Sequence, residues 1–398
     1  MIKVIPGAFL IWLLLYIQSG VASEWSGYVS YEGRGFNHDA AVEKQSHSFN
    51  SSISASPEYY TSWKNDDLSL TFRPFVRIDQ HDKERSHADI RELMFSSNFD
   101  NWELRAGIGK VYWGVTESQH LVDIINQTDL LESLDGEEKL GQPMINLILL
   151  RDWGTIDLFV MPYFRERTFA GEKGRLRSQP YVDTSQASYQ SDKKENNIDY
   201  AIRYSHSIGD WELGLSHFYG TSREPDFNIG LNNDAEPVLT PYYRLLHQTG
   251  IDLQYISGDW LWKLESVSRR SRANNYSAHT FGFEYTSVGI FDSNKDLGMI
   301  AEYLHDSRGD DASTPFEHDV LLGARYVFND TQSTEILFGI ITDTKNQERS
   351  YSIEASRRIT DNWSVNLESR VFSNIRNDSI LRSLHKDDYV QLELLYYF

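Results

Sequence analysis

Twelve histidines are spread through the chain, several beside an acid or a hydroxyl: His87 two residues before Asp89, His217 after Ser216, His305 before Asp306. Such neighbours are the material of hydrolysis, where an imidazole activates a hydroxyl or water and a carboxylate orients the ring. None of these fragments, nor His279, sits in a nucleophile motif, so the sequence points to no catalytic residue and to no enzyme. The acidic run Asp306–Asp311 offers oxygen ligands but lacks the spacing of a calcium loop. With no cysteine there is no thiol nucleophile, thiolate metal site or disulfide framework. No metal and no cofactor is expected.

The more informative charges recur on alternate residues of otherwise apolar segments. Residues 67–79 place Leu68, Leu70, Phe72, Val76 and Ile78 on one face and Ser69, Thr71, Arg73 and Arg77 on the other. Residues 102–113 do the same with Leu104, Ala106 and Ile108 against Glu103, Arg105, Gly107 and Gly109. Lys263, Glu265 and Arg269 share one parity, as do Asn366, Glu368 and Arg370, and Asp199, Asp252 and Glu302 sit likewise. Period-2 alternation is the mark of a strand with two different solvents on its faces. Residues 86–97 resist the assignment, because Arg91 and Glu92 are adjacent. The mixed signs fit a hydrated, ion-paired wall rather than a strongly anion- or cation-selective one.

These segments repeat from end to end, separated by connections of two lengths that take turns. Tight turns fall at Lys64–Asp67, Asn98–Asn101, Arg151–Gly154, Ile208–Trp211, Ser257–Trp260, Asn329–Ser333 and Thr360–Trp363, with a longer one near Val288–Asp296. Longer, more charged stretches lie between: Asn37–Ser46, Gln80–Ser86, Gly114–Gln142, Phe164–Glu195, Thr221–Thr240, Ser271–Asn275, Ser307–Phe316, Thr344–Gln347 and Asn374–Lys386. Strict alternation of short and long connections predicts an all-β fold: a transmembrane antiparallel β-barrel of about 18 strands, with 16 the neighbouring even count. Short turns would face the periplasm and long loops the exterior. Trp102, Trp153, Trp211, Trp260 and Trp363 all stand at a short turn, where a membrane interface favours an amphipathic ring.

Met1–Ser23 has the form of a secretory signal: Lys3, an apolar run over Ala8–Ile17, then Val21, Ala22 and Ser23 as small residues before a cleavage site. The expectation is a chain cleaved near Ser23, with residues 24–398 forming a single barrel domain in the cell outer membrane. The formal net charge of -20 argues against nucleic acid as a partner, since phosphate binding needs a basic face. Outer-membrane lipid and lipopolysaccharide are the expected surroundings.

Two loops draw attention. Gly114–Gln142 is apolar for an exposed loop, carrying Leu121, Val122, Ile124, Ile125, Leu130, Leu131 and Leu134. Folded inward it would narrow the lumen, with room left by Gly107 and Gly109 and a helical turn over Asp129–Leu134. The candidate constriction then comprises Asp123, Asn126, Asp129 and Glu132 facing wall arginines Arg73, Arg77 and Arg105. The same loop could instead pack on the external rim. Phe164–Glu195 concentrates Arg165, Arg167, Lys173, Arg175 and Arg177, an external basic loop that would attract anionic solutes or lipopolysaccharide phosphates, or be a solvated charge run.

The run Lys110–Ser118 (KVYWGVTES), followed by Asp123, Ile124, Ile125, Asn126 and Asp129, resembles a family of porin-like outer-membrane barrels known as a domain of unknown function. Gly27–Phe36, Asp89–Glu92 and Met161–Phe169 are similar in style. The family favours proline where this chain has Gln127 and Thr128. The resemblance implies a barrel that passes small solutes, akin in architecture to alginate-export and phosphate-selective porins. The terminal strand, ending on Phe398, resembles the one the barrel assembly machinery reads. The expected function is a porin-like channel for diffusion of small polar solutes, narrowed by its third external loop. The alternatives are a loop-plugged substrate-specific transporter or assembly component, and more remotely a barrel hydrolase.

Overall fold

The computed structural model describes residues 22–45 and 47–398. The targeting segment falls outside them except for Ala22 and Ser23, which open the first strand. Strands in chain order are β1 (Ala22–Phe36), β2 (Phe49–Trp63), β3 (Leu68–Asp79), β4 (His87–Phe99), β5 (Trp102–Gly109), β6 (Gln142–Arg151), β7 (Gly154–Met161), β8 (Ser188–Tyr189), β9 (Asp199–Ile208) and β10 (Trp211–Thr221). They continue as β11 (Asp226–Leu231), β12 (Pro237–Tyr243), β13 (Leu245–Ser257), β14 (Trp260–Ser271), β15 (Asn275–Ser287), β16 (Asp296–Asp306), β17 (His318–Val327), β18 (Glu335–Asp343), β19 (Arg349–Arg358), β20 (Trp363–Ser373) and β21 (Tyr389–Tyr397). All but β8, β11 and β12 join one antiparallel sheet of 18 strands, which closes because β1 pairs with both β2 and β21. Closure leaves no unpaired edge. The remaining three make a small sheet linking the fourth and fifth long loops.

The expected count of 18 strands is borne out, and so is the alternation of short and long connections. Outward positions are apolar and exposed, as Val390, Leu392, Leu394 and Tyr396 are on β21. The short-turn tryptophans point outward and pair with aromatics across the ladder: Trp211 stacks on Tyr255 with centroids 4.2 Å apart, Trp260 lies 4.8 Å from Tyr285 and Trp363 5.0 Å from Tyr396. A closed sheet with an apolar exterior and an aromatic band has hydrocarbon as its natural solvent.

The adjacent Arg91 and Glu92 are resolved by a bulge. The ladder shifts at Arg73/Pro74, so that Glu92 faces Arg73 while Pro74 faces Ile90. The extra residue, Arg91, turns into the barrel along with Glu92. A bulge restores the phase of a strand that would otherwise put a charge in lipid.

Candidate functional site

The third long loop, Lys110–Gly141, enters the barrel and is held by the opposite wall. Glu265 on β14 accepts from the backbone N–H groups of Val115 (2.6 Å), Thr116 (3.0 Å) and Val122 (3.1 Å). Glu302 on β16 accepts from Glu117 N–H (2.7 Å) and Ser118 N–H (2.8 Å). Gln119 donates to Thr280 of β15 at 3.0 Å. Each wall carboxylate satisfies loop donors that no strand could reach, so the loop's own backbone needs no regular structure. Trp113, Val122, Ile124 and Ile125 bury themselves against inward residues such as Met144, Phe159, Phe218 and Val267. The apolar character of the loop is thus spent inside the barrel.

The glycines on β5 do not make room for it. A Cβ at Gly107 would meet the backbone of Leu93, and one at Gly109 would meet Met94. Space is left by Gly114, where a Cβ would lie 2.8 Å from Glu265, and by Gly250, where it would lie 3.1 Å from Val122. Asp129–Leu134 makes a single turn, closed by Glu132 N–H to Asp129 C=O at 3.2 Å.

The anticipated constriction set is divided. Asp129 is fully buried, pairs with Arg91 at 2.7 Å and accepts from Thr168 at 2.6 Å. Burial would raise its carboxyl pKa, but Arg91 overrides this and holds it below the usual range. Glu132 meets Arg77 at 2.7 Å, and Arg77 also reaches Glu32 at 3.1 Å. Asn126 is a tether: it donates to Gly109 and Leu140 carbonyls and accepts from Val111 N–H. Asp123 is buried against Lys139 at 3.3 Å, with its carboxyl pushed up by desolvation. Arg73 pairs with Glu58, and Arg105 lies 2.6 Å from Glu103, so neither faces a loop acid. The arginines that meet Asp129 and Glu132 are Arg91 and Arg77, joined by Arg85, which donates to the Leu131 carbonyl at 2.8 Å. Strand phase leaves Arg91 unassigned, and Arg85 lies in a loop. The adjacency of Arg91 and Glu92 was the one sequence signal for the bulge.

Space remains on the other side of the loop. A chamber of ≈570 Å³ opens toward the long-loop end, walled by Arg167, Arg223, Arg269 and Arg308 on one side and Ile300, Leu321, Leu337 and Ile341 on another. A second cavity of ≈470 Å³ is lined by acids, among them Glu138, Glu335, Glu368 and Glu393. Both touch Asp135, Glu137, Leu337 and Glu354. Between them Arg370 of β20 reaches Asp135 at 3.1 Å and Glu354 at 2.8 Å. Strand parity places Arg269, Glu368 and Arg370 inside the barrel, but Asp135, Glu137 and Arg223 carry no signal in the sequence. The apolar lumen wall of β16–β18 was legible in hindsight, because those strands are apolar at both parities.

The basic fourth loop is not an exposed patch. Arg165 pairs with Asp89 at 2.8 Å. Arg175 is buried on Asp387 at 2.7 Å and also donates to the carbonyls of His47 and Lys386. Arg177 is buried on the carbonyls of Ser178 and Glu172. Arg167 faces the chamber, and Lys173 alone of the five is exposed.

His87, Asp129 and Glu132 bring ligand atoms within 4.8 Å of one another, but Arg91 and Arg77 already occupy the two carboxylates. Asp306 in the acidic run is likewise taken by Arg308 at 2.6 Å. Strand alternation separates the hydrolytic fragments: Ser216 is buried inward while His217 points outward to Thr249 at 2.9 Å. Ser266 and His279 do meet on the exterior at 2.8 Å, through the Nδ1 atom of the ring.

No protein-family model and no curated protein matches the chain. Among solved structures, a BenF-like porin from Pseudomonas fluorescens Pf-5 has a TM-score of 0.54 at 10% identity, over 95% of this chain and 98% of that one. OprB of Pseudomonas putida gives 0.47 at 9% identity, covering 94% of each chain. A mutant of Rh. blastica porin gives 0.46 at 12%, over 95% of this chain and all of that one. At such identities the likeness to the BenF-like porin is one of fold.

Proposed function

We propose that the chain is an outer-membrane channel through which small polar solutes diffuse, its lumen narrowed by the third loop to a route along β16–β20. The observation that carries this reading is the pair of cavities sharing Asp135, Glu137, Leu337 and Glu354 as lining. The loop is sealed toward β13–β16 by Glu265, Gln248 and Glu302, and toward β17–β20 it is bridged by the ion pairs Arg325–Glu117 and Arg370–Asp135. The narrow zone is therefore Asp135 and Glu137 against Arg370 and Glu354, displaced from the anticipated residues. Water and small solutes pass where ion pairs, rather than backbone, span the gap. In this reading the short turns face the periplasm, lipopolysaccharide surrounds the long-loop end, and the strand ending at Phe398 is what the assembly machinery engages.

Single-channel conductance of the refolded protein in a planar bilayer tests this. Steady open steps are expected. A silent bilayer with folded protein would sink the open-channel reading and favour the second one, a gated transporter. The observation behind that alternative is the Arg370–Asp135 bridge, which spans the route itself.

A further inference from the structure

At the long-loop end of the chamber, guanidinium groups and carboxylates match one to one with a single exception. Arg223 pairs with Asp199 at 2.8 Å, Arg269 with Glu224 at 2.6 Å, and Arg308 with Asp306 at 2.6 Å. Arg167, on the same wall, has no carboxylate within ion-pair distance among the described residues. Its Nε donates to Gln127 Oε1 at 3.3 Å, which orients the planar group and leaves its terminal nitrogens uncommitted. Burial lowers its pKa; Glu224, the partner of Arg269, acts on it only from beyond ion-pair distance and does not reverse the fall.

The facing wall is the opposite in character. Ile300 and Leu321 are buried in a cluster with Leu304, joined by Phe316, Leu337 and Ile341. These side chains point into the barrel, where a merely hydrated wall would carry polar groups. One chamber thus offers a half-buried, forked cation without an ion-pair partner and an apolar surface, the pairing that recognises an amphiphilic anion.

We propose that the chamber binds organic monocarboxylates, the carboxylate on Arg167 and the hydrocarbon part against Ile300, Leu321, Leu337 and Ile341. The carboxylate completes the charge pairing of the wall and accepts two parallel N–H groups. The hydrocarbon displaces water from a surface that gains nothing by hydration. That this selects what crosses the membrane rests on the channel reading above, whereas the binding itself does not.

The test uses the full barrel in lipid nanodiscs, with hexanoate, butanoate and hexanamide as calorimetric probes. Hexanoate should bind roughly tenfold or more tightly than hexanamide, as a charge-assisted pair implies. Arg167→Gln should remove that difference. Hexanoate should exceed butanoate by about two- to fourfold per methylene, a preference that Leu321→Asn weakens while sparing the carboxylate preference. Equal binding of hexanoate and hexanamide, or binding by neither to folded wild-type barrel, would overturn the proposal. Binding of hexanoate by a protein that passes no current would support the chamber and sink the channel.

Discussion

The carboxylate of Glu265, in the middle of β14, accepts the backbone N–H of Val115 from the far side of the barrel at 2.6 Å. The same carboxylate takes two further loop N–H groups and the Thr116 hydroxyl. Removing it would leave three donors buried and unpaired, each costing about 1–3 kcal/mol. Glu265→Ala should therefore release the third loop from the wall while the barrel's own ladder persists. Larger and noisier conductance, with unchanged migration of the folded protein on an unheated gel, is the expected result. Unaltered single-channel steps would show that the apolar packing alone holds the loop.

Among the described residues, Arg370 is the only basic side chain touching both Asp135 and Glu354. Replacing it with alanine opens the span between loop and wall and leaves Asp135, Glu354 and Glu368 without their shared partner. Arg370→Ala should raise conductance and shift the reversal potential in a KCl gradient toward cation preference. Arg105→Ala serves as the control, since its partner Glu103 lies on its own strand. A variant at Arg370 with wild-type selectivity would move the narrow zone elsewhere.

Arg91 and Arg105 separate burial from mere pairing. Arg91 is almost completely buried and neutralises Asp129, which is fully buried. Arg91→Ala leaves that carboxylate without its charge partner, at a cost of about 3–5 kcal/mol. Arg105 and its partner are partly exposed, and Arg105→Ala should cost within about 1 kcal/mol. Urea titrations followed by tryptophan fluorescence should show the midpoint drop for the first variant and little change for the second. Equal midpoints would contradict the burial of Asp129 against Arg91.

The barrel was readable from sequence because alternation and connection length are local properties. Each strand announces its two faces within ten residues, and each turn announces its length. The site is not local. Glu265 reads as one inward acid among many until Val115 and Thr116 arrive from the opposite side. Arg91 was obscured because a bulge breaks the period-2 rule that located wall charges such as Arg77, Glu265 and Arg370. Parity placed Arg73 and Arg105 in the lumen but not their height or neighbours, and both found partners within the wall. The arginines of the fourth loop looked like a surface patch because composition does not reveal that Asp387 and Asp89 lie beneath them.

His120 makes the loop's attachment dependent on pH. Its Nε2 lies 3.0 Å from Glu137 and its Nδ1 3.7 Å from Glu265. Burial alone would lower the pKa of the ring, but the two carboxylates prevail and hold it up to about 10. Glu137 belongs to the same loop and Glu265 to the wall, so the ring returns to about 6.5 where the loop loses its internal fold together with its attachment. A pKa raised in the attached state stabilises attachment fully below the detached value, and the contribution fades as pH rises through the attached one. Loop attachment should thus weaken progressively from about pH 6.5 to about pH 10, and conductance should rise over the same window. His120→Gln removes the titrating charge, so its conductance should stay flat across that range and resemble the wild type at high pH. Conductance–pH curves of the two proteins, each checked for folding at every pH, decide the matter. Superimposable curves would mean that His120 does not govern how the loop is held.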